Sequence, residues 1–203
     1  TRFYEQSSGK IIDLAAQLKI DKTTGGRAVV AGNILSGKTD IFAANERGKN
    51  FLYYNSEGFF QDIAKDYEVD DQYENGRGTT LSDILYRGRL DIVTSNWNGY
   101  HRVFVLKDNK FKDIASPTYN IPTRIRTVIS ADFDNDGFDE IFMNNIGEPN
   151  KLFKIKENGF FEEIKIQNAY ESNGLGTGAA VADIDEDGIL ELLVSHGESG
   201  MQP

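Results

Sequence analysis

The sequence predicts an all-β chain built from four-stranded antiparallel blades of the β-propeller kind. Three observations predict it. An acidic loop, Asp132-Phe133-Asp134-Asn135-Asp136-Gly137-Phe138-Asp139-Glu140, returns as Asp183-Ile184-Asp185-Glu186-Asp187-Gly188-Ile189-Leu190-Glu191. A second segment recurs as Phe59-Phe60-Gln61-Asp62-Ile63-Ala64, Lys110-Phe111-Lys112-Asp113-Ile114-Ala115 and Phe160-Phe161-Glu162-Glu163-Ile164, with a weaker copy at Lys10-Ile11-Ile12-Asp13-Leu14-Ala15. The acidic-loop position keeps a step of about fifty residues through Asn33, Asp83, Asp132 and Asp183, which is the range of a four-stranded blade.

Residues 1–15 read as two strands joined at Ser7-Ser8-Gly9, the outer half of a blade, with one helical turn expected from Ala15 to Ile20. The first full blade is 26–64. Its strands are predicted at Arg27–Ala31, Asp40–Ala43 and Asn50–Tyr54, and Ser56-Glu57-Gly58 turns into the fourth. Its loop from Asn33 to Asp40 is one residue short and lacks the central acids, so no metal is expected there. The second full blade is 78–115. Its loop, from Asp83 to Asp91, keeps acids at positions 1 and 9 and glycine at 6 but carries Leu85 and Arg87 at positions 3 and 5. A guanidinium between Asp83 and Asp91 can neutralise both carboxylates with its fork of donors, so Arg87 is expected to stand in for an ion. The third full blade is 126–164, with Asn158-Gly159 as a hairpin turn that needs positive φ. An inner half-blade occupies 177–203, and the connectors are 65–77, 116–125 and 165–176.

The two intact loops, one in the third blade and one in the half-blade, carry carboxylates at positions 1, 3, 5 and 9 and glycine at position 6. Like charges so close repel one another unless a cation sits among them. Ca²⁺ takes six to eight oxygens at ~2.3–2.6 Å, which a tight loop of alternating aspartates supplies. The expected ligands are Asp132, Asp134, Asp136, the Phe138 carbonyl and Glu140, and then Asp183, Asp185, Asp187, the Ile189 carbonyl and Glu191. An EF-hand is excluded, because position 12 is Met143 or Val194 and the flanks are short apolar runs of strand length. A metal-free acidic turn is the alternative; two copies at one spacing favour two Ca²⁺ sites.

These loops, with the aromatic segments, resemble FG-GAP/VCBS repeats, the blades of integrin-α-type propellers. Thr24-Gly25-Gly26-Arg27, Gly76-Arg77-Gly78, Asn96-Trp97-Asn98-Gly99-Tyr100-His101-Arg102, Asp113-Ile114-Ala115-Ser116-Pro117 and Ser195-His196-Gly197-Glu198-Ser199 are similar to the propeller of the cartilage acidic protein family. The resemblance implies an arc of about four blades from a roughly seven-bladed propeller. Arithmetic alone also permits a closed four-bladed ring in which the two half-blades form one sheet. An arc leaves apolar blade faces that further chain or a partner must cover. The relatives of this family in vertebrates are secreted, which implies a secreted, periplasmic or cell-surface setting, with an organellar lumen as the alternative.

The formal charge is −10, and two Ca²⁺ would bring it to −6. No basic tract tracks a phosphate backbone, so nucleic acid is not an expected partner. There is no cysteine, hence no disulfide or thiolate metal site. No apolar run reaches the ~18–20 residues of a membrane helix.

On the face opposite the acidic loops, Trp97, Tyr100, His101 and His196 are the candidate contacts for a protein or glycan partner. The neighbouring Asn45, Asn96, Asn145 and Asn150 are expected to cap their own loops. No His-Glu-x-x-His, nucleophile elbow or phosphate loop occurs, so the expectation is a non-enzymatic interaction module. A propeller hydrolase or lyase, or a structural subunit of a larger assembly, are the alternatives.

Overall fold

The computed structural model describes residues 1–156 and 158–197. Among these residues sixteen strands form five antiparallel sheets. Strands β1 (Tyr4–Ser7) and β2 (Lys10–Asp13) make a two-stranded hairpin. Three four-stranded sheets follow, each in simple sequential order. They are β3 (Gly26–Gly32), β4 (Asp40–Asn45), β5 (Phe51–Ser56) and β6 (Phe59–Asp62); β7 (Gly76–Ser82), β8 (Asp91–Asn96), β9 (Arg102–Lys107) and β10 (Lys110–Asp113); and β11 (Ile125–Ala131), β12 (Glu140–Asn145), β13 (Lys151–Ile155) and β14 (Phe161–Ile164). A pair, β15 (Gly176–Ala182) and β16 (Glu191–His196), completes the series. The helical turn lies where the sequence places it, with Leu18 N–H donating to Leu14 O at 2.9 Å.

The first strands β3, β7, β11 and β15 pack side by side in succession, so the sheets are blades arrayed around one wall of inner strands. The second strands show why. A strand's side chains alternate between its two faces. In β4, Ile41 and Ala43 enter one apolar core while Phe42 and Ala44 enter the next. In β8, Ile92 faces back to the first blade and Val93 forward to the third. Both faces are therefore core faces, and β4, β8 and β12 are buried along their whole length.

Each blade's forward face needs the following blade. Phe42, Val93 and Phe142 occupy one repeat position and are 0 %, 0 % and 1 % exposed, whereas Leu193 at the same position of β16 is 47 % exposed. Among the described residues no hydrogen-bonded pairing joins β1–β2 to β15–β16, so the closed four-bladed ring is not formed. The two half-blades stay two separate two-stranded sheets.

Every inner strand is bulged near its start, at 26/28, 76/78, 125/127 and 176/178. Pairing resumes beyond each bulge, so three of these strands begin one or two residues before the blade starts read from the sequence, at Gly76, Ile125 and Gly176.

Candidate metal centres

The acidic loops join the first two strands of their blades, and their backbone is set by one pattern of side-chain to amide bonds. In the loop of the third blade, Asp136 N–H and Gly137 N–H donate to Asp132 Oδ1 and Oδ2 at 3.0 and 2.7 Å. Phe138 N–H donates to Asp136 Oδ1 at 3.1 Å, and Phe133 N–H to Glu140 Oε2 at 2.9 Å. The loop of the half-blade repeats all four. Asp187 and Gly188 donate to Asp183 at 3.0 and 2.9 Å, Ile189 to Asp187 Oδ1 at 2.8 Å, and Ile184 to Glu191 Oε2 at 2.8 Å. Position 4 takes positive φ in both, 57° at Asn135 and 61° at Glu186, and the glycine after position 5 lies near 90°. Glycine is the residue that holds such a conformation without a Cβ penalty.

This scaffold turns the remaining carboxylate oxygens inward. Ligand oxygens of Asp132, Asp134 and Asp136 lie within 4.8 Å of one another, and so do those of Asp183, Asp185 and Glu191. Hard oxygen donors at that spacing suit a cation of the calcium class. The third-blade loop has a further feature that sequence reading missed. Lys154 on β13 pairs in register with Glu140 on β12. Its ammonium lies 2.7 Å from Asp134 Oδ2, 2.5 Å from Asp136 Oδ2 and 3.2 Å from Glu140 Oε1. Burial acts to lower the Lys154 pKa, but its bonds to these three carboxylates outweigh that and raise it. Burial likewise pushes up the pKa of Glu140, which is 1 % exposed. The acids thus gather positive charge where they converge. In the half-blade loop, no basic group pairs with Asp183, Asp185 or Glu191 among the described residues. The signal for Lys154 was its position one strand over, where the first two blades have Tyr54 and Val105.

The second blade keeps the loop shape without the central acids. Arg87 N–H and Gly88 N–H donate to Asp83 Oδ1 and Oδ2 at 2.8 and 2.6 Å, and Tyr86 takes φ 54°. The Arg87 guanidinium reaches Asp91 Oδ1 at 2.8 Å and the Leu106 carbonyl at 3.2 Å. Asp83 is bonded to the Arg87 backbone and not to its guanidinium, so the fork bridges Asp91 and a carbonyl, not two carboxylates. In the first blade Asp40 organises the start of the shorter loop, accepting from Leu35 and Ser36 at 2.7 and 2.9 Å, and Ser36 Oγ accepts from Lys38 N–H at 3.0 Å.

The third-blade loop is also tied to the second blade. Ser82 Oγ donates to Asp139 Oδ2 at 2.6 Å, and Tyr86 meets Phe138 edge-on with centroids 4.1 Å apart.

The opposite face separates the contact candidates. His101 is fully buried and so cannot touch a partner, which corrects its assignment as a contact residue. Asn96 N–H donates to its Nδ1 at 3.2 Å; Nε2 therefore carries the proton and donates to Thr123 Oγ1 at 3.1 Å, and that hydroxyl donates to Asn145 Oδ1 at 2.8 Å. Burial, with the Lys151 charge, lowers the His101 pKa to about 4, so the ring is neutral. Asn50 and Asn150 do the same capping task in the adjacent blades, accepting from Asn45 and Asn145 N–H at 3.0 and 2.9 Å. Tyr100 is 54 % exposed beside Arg102. His196 Nε2 lies 3.0 Å from Glu171 Oε2. Trp97 is half-buried between Arg77 and Arg126. Of the run Ser195-His196-Gly197-Glu198-Ser199, the last two residues lie outside the described residues.

The FG-GAP-like repeat model matches residues 83–143 and 132–194, each match running from one loop through the second strand of the next blade. Cartilage acidic protein 1 of Homo sapiens is 46 % identical over 205 residues, covering 94 % of this chain and 31 % of the relative. The Xenopus tropicalis and Mus musculus proteins of that name are 46 % and 45 % identical, each covering 94 % of this chain and 32 % of the relative. The chain spans about a third of the length of the curated relatives it matches.

Proposed function

This chain belongs to the FG-GAP-like repeat family, and we propose that it works as a calcium-stabilised propeller region that presents its opposite face to a partner outside the cytoplasm. The observation that carries the calcium part is the convergence of Asp183, Asp185 and Glu191 with no counter-charge among the described residues, on a loop bonded as its third-blade counterpart is. Asp132, Asp134, Asp136, the Phe138 carbonyl and Glu140 would hold one ion. Asp183, Asp185, Asp187, the Ile189 carbonyl and Glu191 would hold the other. The bound ion supplies positive charge that discharges the acids and cross-links the loop; no catalytic step is assigned to it. An extracellular placement agrees with an affinity of the weak, extracellular class. At a dissociation constant of ~10⁻⁴ M and ~1–2 mM ion, a site with no competing charge adds about 1.5 kcal/mol of stability. The partner part rests on family membership and on the contact candidates opposite the loops that stay accessible, with Tyr100 the most open of those candidates.

Calorimetric titration of the metal-stripped protein tests the calcium reading. Uptake of two ions is expected, with a rise in melting temperature that a chelator reverses. No uptake, or a melting temperature indifferent to the chelator, would overturn it. Mg²⁺ is expected to substitute poorly, because it favours a rigid octahedron and retains its waters.

A further inference from the structure

Composition shows no basic tract, yet the fold assembles one. Arg27, Arg77 and Arg126 are each the second residue of an inner strand, and each sits at the bulge of that strand. An extra residue at a bulge is unpaired and its side chain is re-aimed. Because β3, β7 and β11 pack in succession, the three arginines come to one end of the inner wall, away from the acidic loops. Their contacts form one chain. Arg27 Nε donates to Glu46 Oε2 at 2.6 Å, and Arg77 Nη2 to Glu46 Oε1 at 3.1 Å. Arg77 and Arg126 then lie against the Trp97 ring, 5.1 and 4.7 Å from its centroid.

The charges in this cluster do not balance. Among the described residues Glu46 is the acid of the cluster and pairs with two of its three guanidiniums, Arg27 and Arg77, while Arg126 pairs with none. The Arg77 side chain is only 10 % exposed, and Nε of Arg77 and Nε of Arg126 are buried without a hydrogen-bond partner. A buried donor left unpaired is costly, more so on a charged group. Burial, and then the neighbouring arginines, lower the pKa of both groups against the pull of Glu46.

We infer that Arg77, Arg126 and the edge of Trp97 form a binding site for a single carboxylate, presented by an Asp or Glu side chain of a partner protein. Glu46 on Arg27 already shows the planar carboxylate that this guanidinium cluster accepts, and arginine's donor fork matches that shape. Beyond the cluster acids outnumber arginines, with Asp71, Glu74 and Asp113 sharing Arg102 and Glu148 held by Arg124. A polyanion would meet those acids, whereas one carboxylate would not. The inference rests on the interaction-module reading and is independent of the calcium part.

Trp97 is the only tryptophan in the sequence and so reports on its own site. The full chain, kept in calcium, is titrated with glutarate and separately with heparin fragments, following tryptophan fluorescence and heat. Saturable glutarate binding is expected, weakened as salt rises, with the fluorescence change lost in Trp97→Phe. Arg126→Gln, which breaks no ion pair, is expected to fold normally and to weaken glutarate by roughly tenfold, the loss of about one charge-assisted hydrogen bond. No glutarate binding, or binding unchanged in Arg126→Gln, would overturn the site. Heparin binding with no response to glutarate would overturn the carboxylate assignment in favour of a glycan. Calcium uptake measured on the same samples keeps failure here distinct from failure of the metal reading.

Discussion

Replacing Arg87 by Met in the second-blade loop isolates the loop's cationic stand-in. Asp91 is 0 % exposed, and its Oδ1 accepts from Arg87 at 2.8 Å while its Oδ2 is buried without a partner. Burial has already pushed the Asp91 pKa up to about 6, against the pull of Arg87. Removing the guanidinium removes that pull. Breaking a fully buried pair costs ~3–5 kcal/mol, but the Arg87 side chain is 34 % exposed, so solvent screens the interaction and about 2–3 kcal/mol is expected near neutral pH.

The pH dependence makes the test specific. Asp91 has a folded pKa above its unfolded value of 3.8, so the native state holds the extra proton between those values and stability falls as pH rises through that window. In the Met variant the folded pKa moves higher still and the window extends upward. Urea unfolding should therefore give the full destabilisation near pH 8 and less than about 1 kcal/mol near pH 4.5, where Asp91 is protonated with or without Arg87. Adding Asp91→Asn should restore most of the loss near pH 8. A destabilisation equal at both pH values, or one that Asp91→Asn fails to relieve, would refute the reasoning.

Leu85→Asp with Arg87→Asp restores the acids at positions 3 and 5 of that loop, and calorimetry should count one more Ca²⁺ per chain. Lys154→Ala removes the ammonium competing in the third-blade loop and should tighten calcium there by roughly fivefold, about 1 kcal/mol, leaving the half-blade site unchanged. Gly78→Ala would place a Cβ 2.6 Å from the Val128 backbone N, so thermal unfolding should show a loss of about 1–3 kcal/mol, against a few tenths for Gly48→Ala, which meets open space. His101 is neutral with a pKa lowered to about 4, so its contribution to stability is present above its unfolded value of 6.5 and is lost as pH falls to about 4, roughly 3 kcal/mol in all. His101→Asn, which copies Asn50 and Asn150, should unfold less readily than the parent near pH 5 and flatten that acid limb.

Much of the fold was legible because the chain repeats. The acidic loops, the hairpin at Asn158-Gly159 and the strand-length runs around them mark the blade period by themselves. What escaped lies one repeat or one strand away. Lys154 reads as a surface lysine until β12 and β13 are set in register. Arg27, Arg77 and Arg126 read as scattered charges until the bulges are superposed. His101 looked available because its loop was placed with Trp97 and Tyr100 on the face opposite the acidic loops. Its burial follows from a neighbour, Thr123, that belongs to the connector before the third blade. Arg87 was placed near its acids by spacing, but spacing alone does not say that backbone amides would satisfy Asp83 first.

The second-blade loop bears on what calcium does in the other two. It holds the same amide bonds to its first aspartate and the same positive φ at position 4, with no acid at positions 3 and 5. The loop's shape is therefore a property of Asp83, Gly88 and the backbone. The shape does not depend on acids at positions 3 and 5. What changes between loops is how much charge that shape concentrates, and each solves the problem differently: Asp40 acts alone in the first blade, Arg87 answers Asp91 in the second, and Lys154 lies among three carboxylates in the third. The half-blade loop presents its acids with no basic partner among the described residues. Calcium at these positions would thus act chiefly on charge, and its effect on stability should scale with the acids left uncompensated, being larger at Asp183–Glu191 than at Asp132–Glu140.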